Sequence, residues 1–76
     1  MDDNDIKHFI EAALLAAGRP LSVEQLQSLF DGTEIPDKSQ IREAIGKLTE
    51  EYAGRGIAIA EVASGFRIQE IGRAHV

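Results

Sequence analysis

The chain has no cysteine and no tryptophan among its 76 residues, and its aromatic complement is three phenylalanines and one tyrosine. Without cysteine, neither a disulfide nor thiolate zinc ligation can reinforce the fold. Stability must therefore come from packed aliphatic side chains, in a chain short enough to hide only about 60% of its unfolded surface. Long apolar runs are also missing. The longest, Ala12 to Ala17, is far below the roughly 20 residues that cross a bilayer. The first residues, Met1 to Asp5, are acidic where a signal peptide would be basic. These absences predict a cytoplasmic protein. Cations are scarce too: eight Lys and Arg stand against thirteen Asp and Glu, a net charge of −5. Nucleic-acid binders gain affinity by neutralising phosphates with Lys and Arg. The balance counts against such a partner unless the eight cluster on one face.

What the sequence does contain is periodicity. Ile6, Phe9, Ile10, Ala13, Leu14 and Ala17 recur at offsets of three and four, which predicts a first helix from about Asp5 to Ala17. Asp2, Asp3 and Asp5 favour its positive end, and Gly18 with Pro20 ends it. A second helix is predicted over roughly Val23 to Phe30. Ser22 is its N-cap, and Gln25 lies at the capping-box spacing. Leu21 and Leu26 are placed for a hydrophobic staple across that cap. A third helix follows Pro36, capped by Asp37 or Ser39, with Ile41, Ala44, Ile45, Leu48 and Tyr52 as its buried stripe. Gly54-Arg55-Gly56 closes it.

From Arg55 to Gln69 the period changes from helical to alternating. Ile57 and Ile59 alternate with alanines, and Phe66 and Ile68 with Arg67 and Gln69, as half-buried strands do. Ala63-Ser64-Gly65 is the turn between them, with Gly65 supplying a positive φ. Three helices followed by a two-stranded ribbon is the α+β winged-helix plan. The expected core is Phe9, Ile10, Leu14, Leu26, Phe30, Ile41, Ile45, Leu48, Ile57, Ile59, Phe66 and Ile68.

Particular residues resemble a known family. The Ala17-Gly18-Arg19-Pro20-Leu21-Ser22 junction, Tyr52 with Arg55-Gly56-Ile57, and Val62 through Gln69 around Gly65-Phe66 occur in the order seen in segregation and condensation protein B. The resemblance extends from about Ile6 to Gln69. It implies a non-catalytic scaffold subunit that forms a homodimer. It also implies binding to the kleisin subunit of the bacterial SMC complex, which condenses and segregates chromosomes, and hence association with the nucleoid through that complex. The family carries two winged-helix domains per chain. Here Ile71 to Val76 depart from the expected continuation. The predicted organisation is a winged-helix domain over residues 1–70 and a C-terminal tail over 71–76, read as non-native or truncated.

Two surfaces are candidates for docking. Leu15 lies about 180° from Ile6 on a helical wheel of 3.6 residues per turn. With Ala12 and Ala16 it makes the far side of the first helix apolar. Three readings stand: the helix is more deeply buried within its own domain, Leu15 is one scattered exposed leucine that needs no explanation, or a partner covers the patch and closes a homodimer. In the ribbon, Ala58, Ala60 and Ala63 are small enough to let a partner strand approach an open sheet edge. Small residues at solvent-facing strand positions need no partner, so both readings stand.

The alternative function for this fold is a transcriptional regulator that reads DNA with its third helix. The outward face of that helix carries Ser39, Arg42, Glu43, Gly46, Lys47 and Glu50. Two of the six are acids, and the wing tip offers no cation, so no DNA-binding residue is predicted. Gly46 costs about 1 kcal/mol relative to Ala in an exposed helix interior, through either close approach of another chain or drift. Catalysis finds no constellation. His8 and His75 lack a third ligand at metal spacing, and Asp31 and Glu34 flank a turn. Ser22 serves as a cap, with no base at a recognisable spacing. Gly54-Arg55-Gly56 lacks the pattern of a phosphate loop. Tyr52 and Phe66 are expected to pack rather than stack on a ligand. No enzyme, metal site or cofactor is predicted.

Overall fold

Capping residues divide the chain into its elements. The computed structural model describes residues 2–32 and 35–70. The expected tail over 71–76, His75 within it and Glu34 lie outside the described residues. Helix α1 runs Asp3–Ala17, two residues earlier than the predicted start at Asp5. The Asp2 carboxylate starts it by accepting the backbone N–H of Asp5 at 2.9 Å. Such a cap is worth about 1 kcal/mol. Gly18, at φ +65°, ends the helix in the left-handed conformation.

Helix α2 spans Val23–Ser28 and opens with the expected box. The Ser22 hydroxyl accepts the backbone N–H of Gln25 at 3.1 Å, and the Gln25 side-chain carbonyl accepts the backbone N–H of Ser22 at 2.9 Å. It stops two residues short of the predicted Phe30. The N–H groups of Leu29 and Phe30 turn to the carbonyls three residues back, of Leu26 and Gln27. That tightening ends the last turn of a helix. Gln27 then donates its side-chain amide to the carbonyl of buried Pro36, tying the connection that leads into the third helix. Helix α3, Lys38–Tyr52, repeats the device with Asp37 and Gln40. Asp37 is the cap, and Ser39 sits inside the first turn.

Strands β1, Ile57–Val62, and β2, Gly65–Glu70, form an antiparallel hairpin through Ala63-Ser64. In register, Ile59 faces Ile68, Ala60 faces Arg67 and Ala58 faces Gln69. A feature absent from the sequence reading joins the ribbon to the helices. Leu21 exchanges both backbone hydrogen bonds with Phe66, at 2.9 and 2.8 Å, as a one-residue third strand on the far edge of β2. Gly65 makes this contact possible. Its φ is +140°, and a Cβ there would lie 2.3 Å from the Leu21 carbonyl carbon and oxygen.

Ile10, Leu26, Ile41 and Leu48 are fully buried at the centre. Burying each contributes about 1.5–3 kcal/mol. Ile6, Leu14, Leu21, Val23, Phe30, Ala44, Ile45 and Tyr52 complete the core, with Ile57, Ile59, Phe66 and Ile68 half-buried against it. Phe9 departs from expectation. It is 36% exposed and rests its ring on Phe30, with centroids 4.2 Å apart, at the rim of the core. The angular drift of successive helical turns leaves Ile6, Ile10 and Leu14 as the fully inward residues of α1, with Ala13 and Ala17 packed beside them.

Tyr52 is the polar member of this core. Its hydroxyl donates to a Glu11 carboxylate oxygen, linking α3 to α1. Burial, then the Glu11 carboxylate, pushes its phenol well above the ordinary range. Among the described residues no buried side-chain polar atom lacks a hydrogen-bond partner.

Candidate protein-docking surface

The far side of α1 is open. Leu15 is 63% exposed, and Ala12 and Ala16 beside it are exposed as well. The opposite side of the same helix supplies Ile6, Ile10 and Leu14 to the core. Deeper burial of this helix within the domain is therefore not what the structure has: among the described residues nothing covers Leu15, which leaves a lone exposed leucine or a partner-facing patch.

Ala58 and Ala60 are half-buried on β1, and the ladder assigns their backbone roles. The Phe66 N–H and C=O point to Leu21. Because bonded groups alternate along an antiparallel strand, those of Arg67 and Gln69 point to β1. Their register partners Ala60 and Ala58 are consequently bonded inward. The outward backbone groups of β1 belong to Ile57, Ile59 and Glu61. The small residues flank the free edge without themselves presenting its donors and acceptors.

Beside Leu15 the structure has a feature that sequence reasoning missed. A cleft of about 150 Å³ lies between the end of α1 and β2, lined by Leu14, Leu15, Gly18, Arg19, Arg67 and Ile68. Leu15 forms one wall. Arg67 on the other wall is the register partner of Ala60. Leu15 and Ile68 thus put aliphatic surface from α1 and from the ribbon into one cleft. Arg19 and Arg67 stand 48 positions apart in the chain, so no local spacing signals their convergence.

The face that DNA readers use has a different chemistry. Between α2, α3 and the wing tip lies a second cleft whose charged lining is Glu24, Arg42 and Glu61. The nearby lysines are engaged. Lys38 pairs with Glu24 at 3.2 Å, and Lys47 with Asp3 at 3.6 Å. Glu24 is held below the ordinary carboxylate range by its own backbone N–H and then by Lys38. At the other end of α3, Lys7 pairs with Glu51, whose carboxyl is lowered by that hydrogen bond. Among the described residues, no continuous cationic strip runs from α3 to the wing tip.

Gly46 faces open space; an added Cβ would meet nothing within 4 Å. Packing inside the domain does not require a glycine there. His8 is exposed, and no group of three metal-ligating side chains occurs among the described residues. No helix among them is long and apolar enough to cross a membrane.

Comparison with known proteins agrees with the architecture. The chain is 44% identical over 69 residues to a segregation and condensation protein B homolog of Coxiella burnetii, covering 91% of this chain and 33% of that protein. It is 35% identical over 71 residues to segregation and condensation protein B of Syntrophotalea carbinolica, covering 91% of this chain and 34% of that protein. The chain thus spans about a third of the length of these curated relatives. No solved structure matches it significantly. The family model for the segregation and condensation complex subunit ScpB matches residues 8–74. With its helices, hairpin and matched span in agreement, the chain belongs to the ScpB family.

Proposed function

We infer that this chain serves chromosome condensation and segregation as a non-catalytic docking module. Residues 1–70 act as a winged-helix domain within an SMC–kleisin complex on the nucleoid. The domain engages a second copy of itself and the kleisin subunit through the outer face of α1 and the adjoining ribbon. One observation carries this reading: Leu15, 63% exposed between Ala12 and Ala16, is an apolar patch on a helix that has already filled the core with its other side. Its surroundings agree. The surface that would meet DNA holds two carboxylates and one arginine in its cleft, and phosphate binding needs the opposite balance.

Leu15→Glu tests the self-association. The substituted side chain is solvent-exposed, so the fold should persist by far-UV circular dichroism. The mass by light scattering should fall from dimer to monomer. A variant with unchanged mass and intact fold removes Leu15 from the interface. Calorimetry with the purified kleisin subunit tests the second contact, with saturable heat expected. Titration with random duplex DNA provides the contrast. Weak binding is expected at physiological salt, and tight binding that weakens steeply with salt would instead identify a DNA reader.

A further inference from the structure

The α1–β2 cleft reverses the charge of the molecule around it. The chain carries a net charge of −5, yet this lining contains two arginines, no carboxylate and the side chains of Leu14, Leu15 and Ile68. The other described cations of α1 and α3 are largely occupied: Lys7 by Glu51, Lys38 by Glu24 and Lys47 by Asp3. Neither Arg19 nor Arg67 forms a salt bridge among the described residues. Arg67 is nevertheless oriented. Its Nε and Nη2 donate to the Gln69 side-chain carbonyl at 3.2 and 3.0 Å. A neutral amide holds the guanidinium without cancelling its charge, leaving further donors on its fork.

The backbone adds a polar handle to the same place. Since Phe66 directs its N–H and C=O to Leu21, Ile68, two residues on, directs its own to the same side. The short strand at Leu21 does not reach that far, because the chain turns through Arg19 and Gly18 into α1. Among the described residues no backbone group bonds Ile68 from this side. The cleft therefore combines an aliphatic wall, two guanidiniums and an open strand edge.

We propose that the α1–β2 cleft holds an acidic segment of a partner polypeptide, seating an aliphatic side chain against Leu15 and Ile68 while flanking carboxylates meet Arg19 and Arg67. A second copy docked by two-fold symmetry would set this cationic lining against the same patch of its partner, whereas an acidic segment of a different chain presents carboxylates to Arg19 and Arg67. The proposal rests on the docking function above and specifies which chemistry that function recognises. Carboxylates suit guanidinium forks, which bind them in a bidentate manner.

The test is calorimetric titration of the full chain with the purified kleisin subunit, comparing wild type, Arg19→Glu/Arg67→Glu, the milder Arg67→Gln and the control Arg42→Glu. Arg42 is exposed and lies outside this cleft. The double variant should weaken binding about tenfold or more, as reversing charges at an interface does. Arg67→Gln should fall between it and wild type, and Arg42→Glu should stay within about twofold of wild type. Circular dichroism verifies the fold of each. Wild-type binding with an unaffected double variant overturns the cleft assignment while leaving the docking function standing. Equal weakening by Arg42→Glu also overturns it, as an effect of net charge alone. A double variant that changes only the chain's own mass by light scattering identifies a second copy as the occupant and overturns it too. Failure of the wild type to bind the kleisin ends the docking function and this proposal together.

Discussion

Two glycine-to-alanine substitutions should move the stability of this domain in opposite directions, and the structure supplies both magnitudes. At Gly65 the new Cβ would lie 2.3 Å from the Leu21 carbonyl carbon and oxygen and 2.5 Å from the Ser22 nitrogen. Relaxed carbon contacts require about 3.5–4.0 Å, and all three atoms are backbone. The clash can be relieved only by opening the Leu21–Phe66 bridge. That loses two hydrogen bonds of about 0.5–1.5 kcal/mol each and part of the burial of Leu21, which is about 1.5–3 kcal/mol when complete. Alanine at φ +140° adds about 1–3 kcal/mol of backbone strain. The total is about 3–8 kcal/mol, against about 4–11 kcal/mol for the stability of a domain this size. At Gly46 a Cβ meets nothing within 4 Å, so alanine should stabilise α3 by about 0.5–1 kcal/mol. Urea unfolding followed by far-UV circular dichroism measures both. With a slope of about 1 kcal/mol per molar, Gly65→Ala should lower the midpoint by about 3 M or leave the chain unfolded, and Gly46→Ala should raise it by about 0.5–1 M. A Gly65→Ala midpoint within about 0.5 M of wild type would refute the claim that this glycine lets the ribbon dock on Leu21.

Asp37→Ala removes the α3 cap and should cost about 1 kcal/mol, measured by the same melt; no loss would mean that Ser39 or water replaces it. Tyr52→Phe keeps the buried ring and removes only the bond to Glu11, with an expected cost of about 1.5 kcal/mol, the low end for a bond to a charged group. Tyr52 is the single tyrosine, so absorbance at 295 nm reports its ionisation alone. Its folded phenol is raised by burial and by Glu11, so the associated stability is complete below about pH 10, the unfolded value, and is lost as pH climbs toward the raised folded value. Phenolate should therefore appear together with loss of helical signal above pH 10. Ionisation near pH 10 with helices intact would contradict the buried bond.

Helical elements were legible in the sequence because each begins at a side-chain cap that acts locally. Ser22 with Gln25, and Asp37 with Gln40, close their boxes across three residues, and the turn at Gly65 is marked by the residue type it requires. The readings that changed depend on tertiary distance. Phe9 carries the correct period for the core yet sits at its rim, where only the packing of α1 against α3 determines the angle. Phe30 remains in the core although α2 ends before it. Leu21 looked like half of a hydrophobic staple, and its second role as a strand depends on Phe66, 45 positions away. The candidate surface divided similarly. The wheel placed Leu15 opposite the core face but left its burial open until the packing was known, and the pairing of Arg19 with Arg67 in one cleft required the hairpin to fold back beside α1.

The distribution of charge supports the proposed reading that this fold serves protein contacts rather than DNA, with no change to its core. A winged helix exposes two opposed surfaces: α3 with the wing tip, and α1 with the base of the ribbon. On the first, acids neutralise the lysines in pairs, Glu24 with Lys38 and Asp3 with Lys47. A phosphate backbone approaching there would have to displace carboxylates before gaining a cation, and the counterion release that drives such binding would be lost. On the second, the guanidiniums face aliphatic side chains with no acid between them. Apolar area buried at that cleft contributes about 25 cal/mol per Å² whatever the salt, while the arginines select a partner by sign. A polyanion with no apolar side chain engages only half of that surface. An acidic polypeptide with an aliphatic anchor engages all of it, which is why binding at this face should survive ionic strengths that abolish contact with DNA.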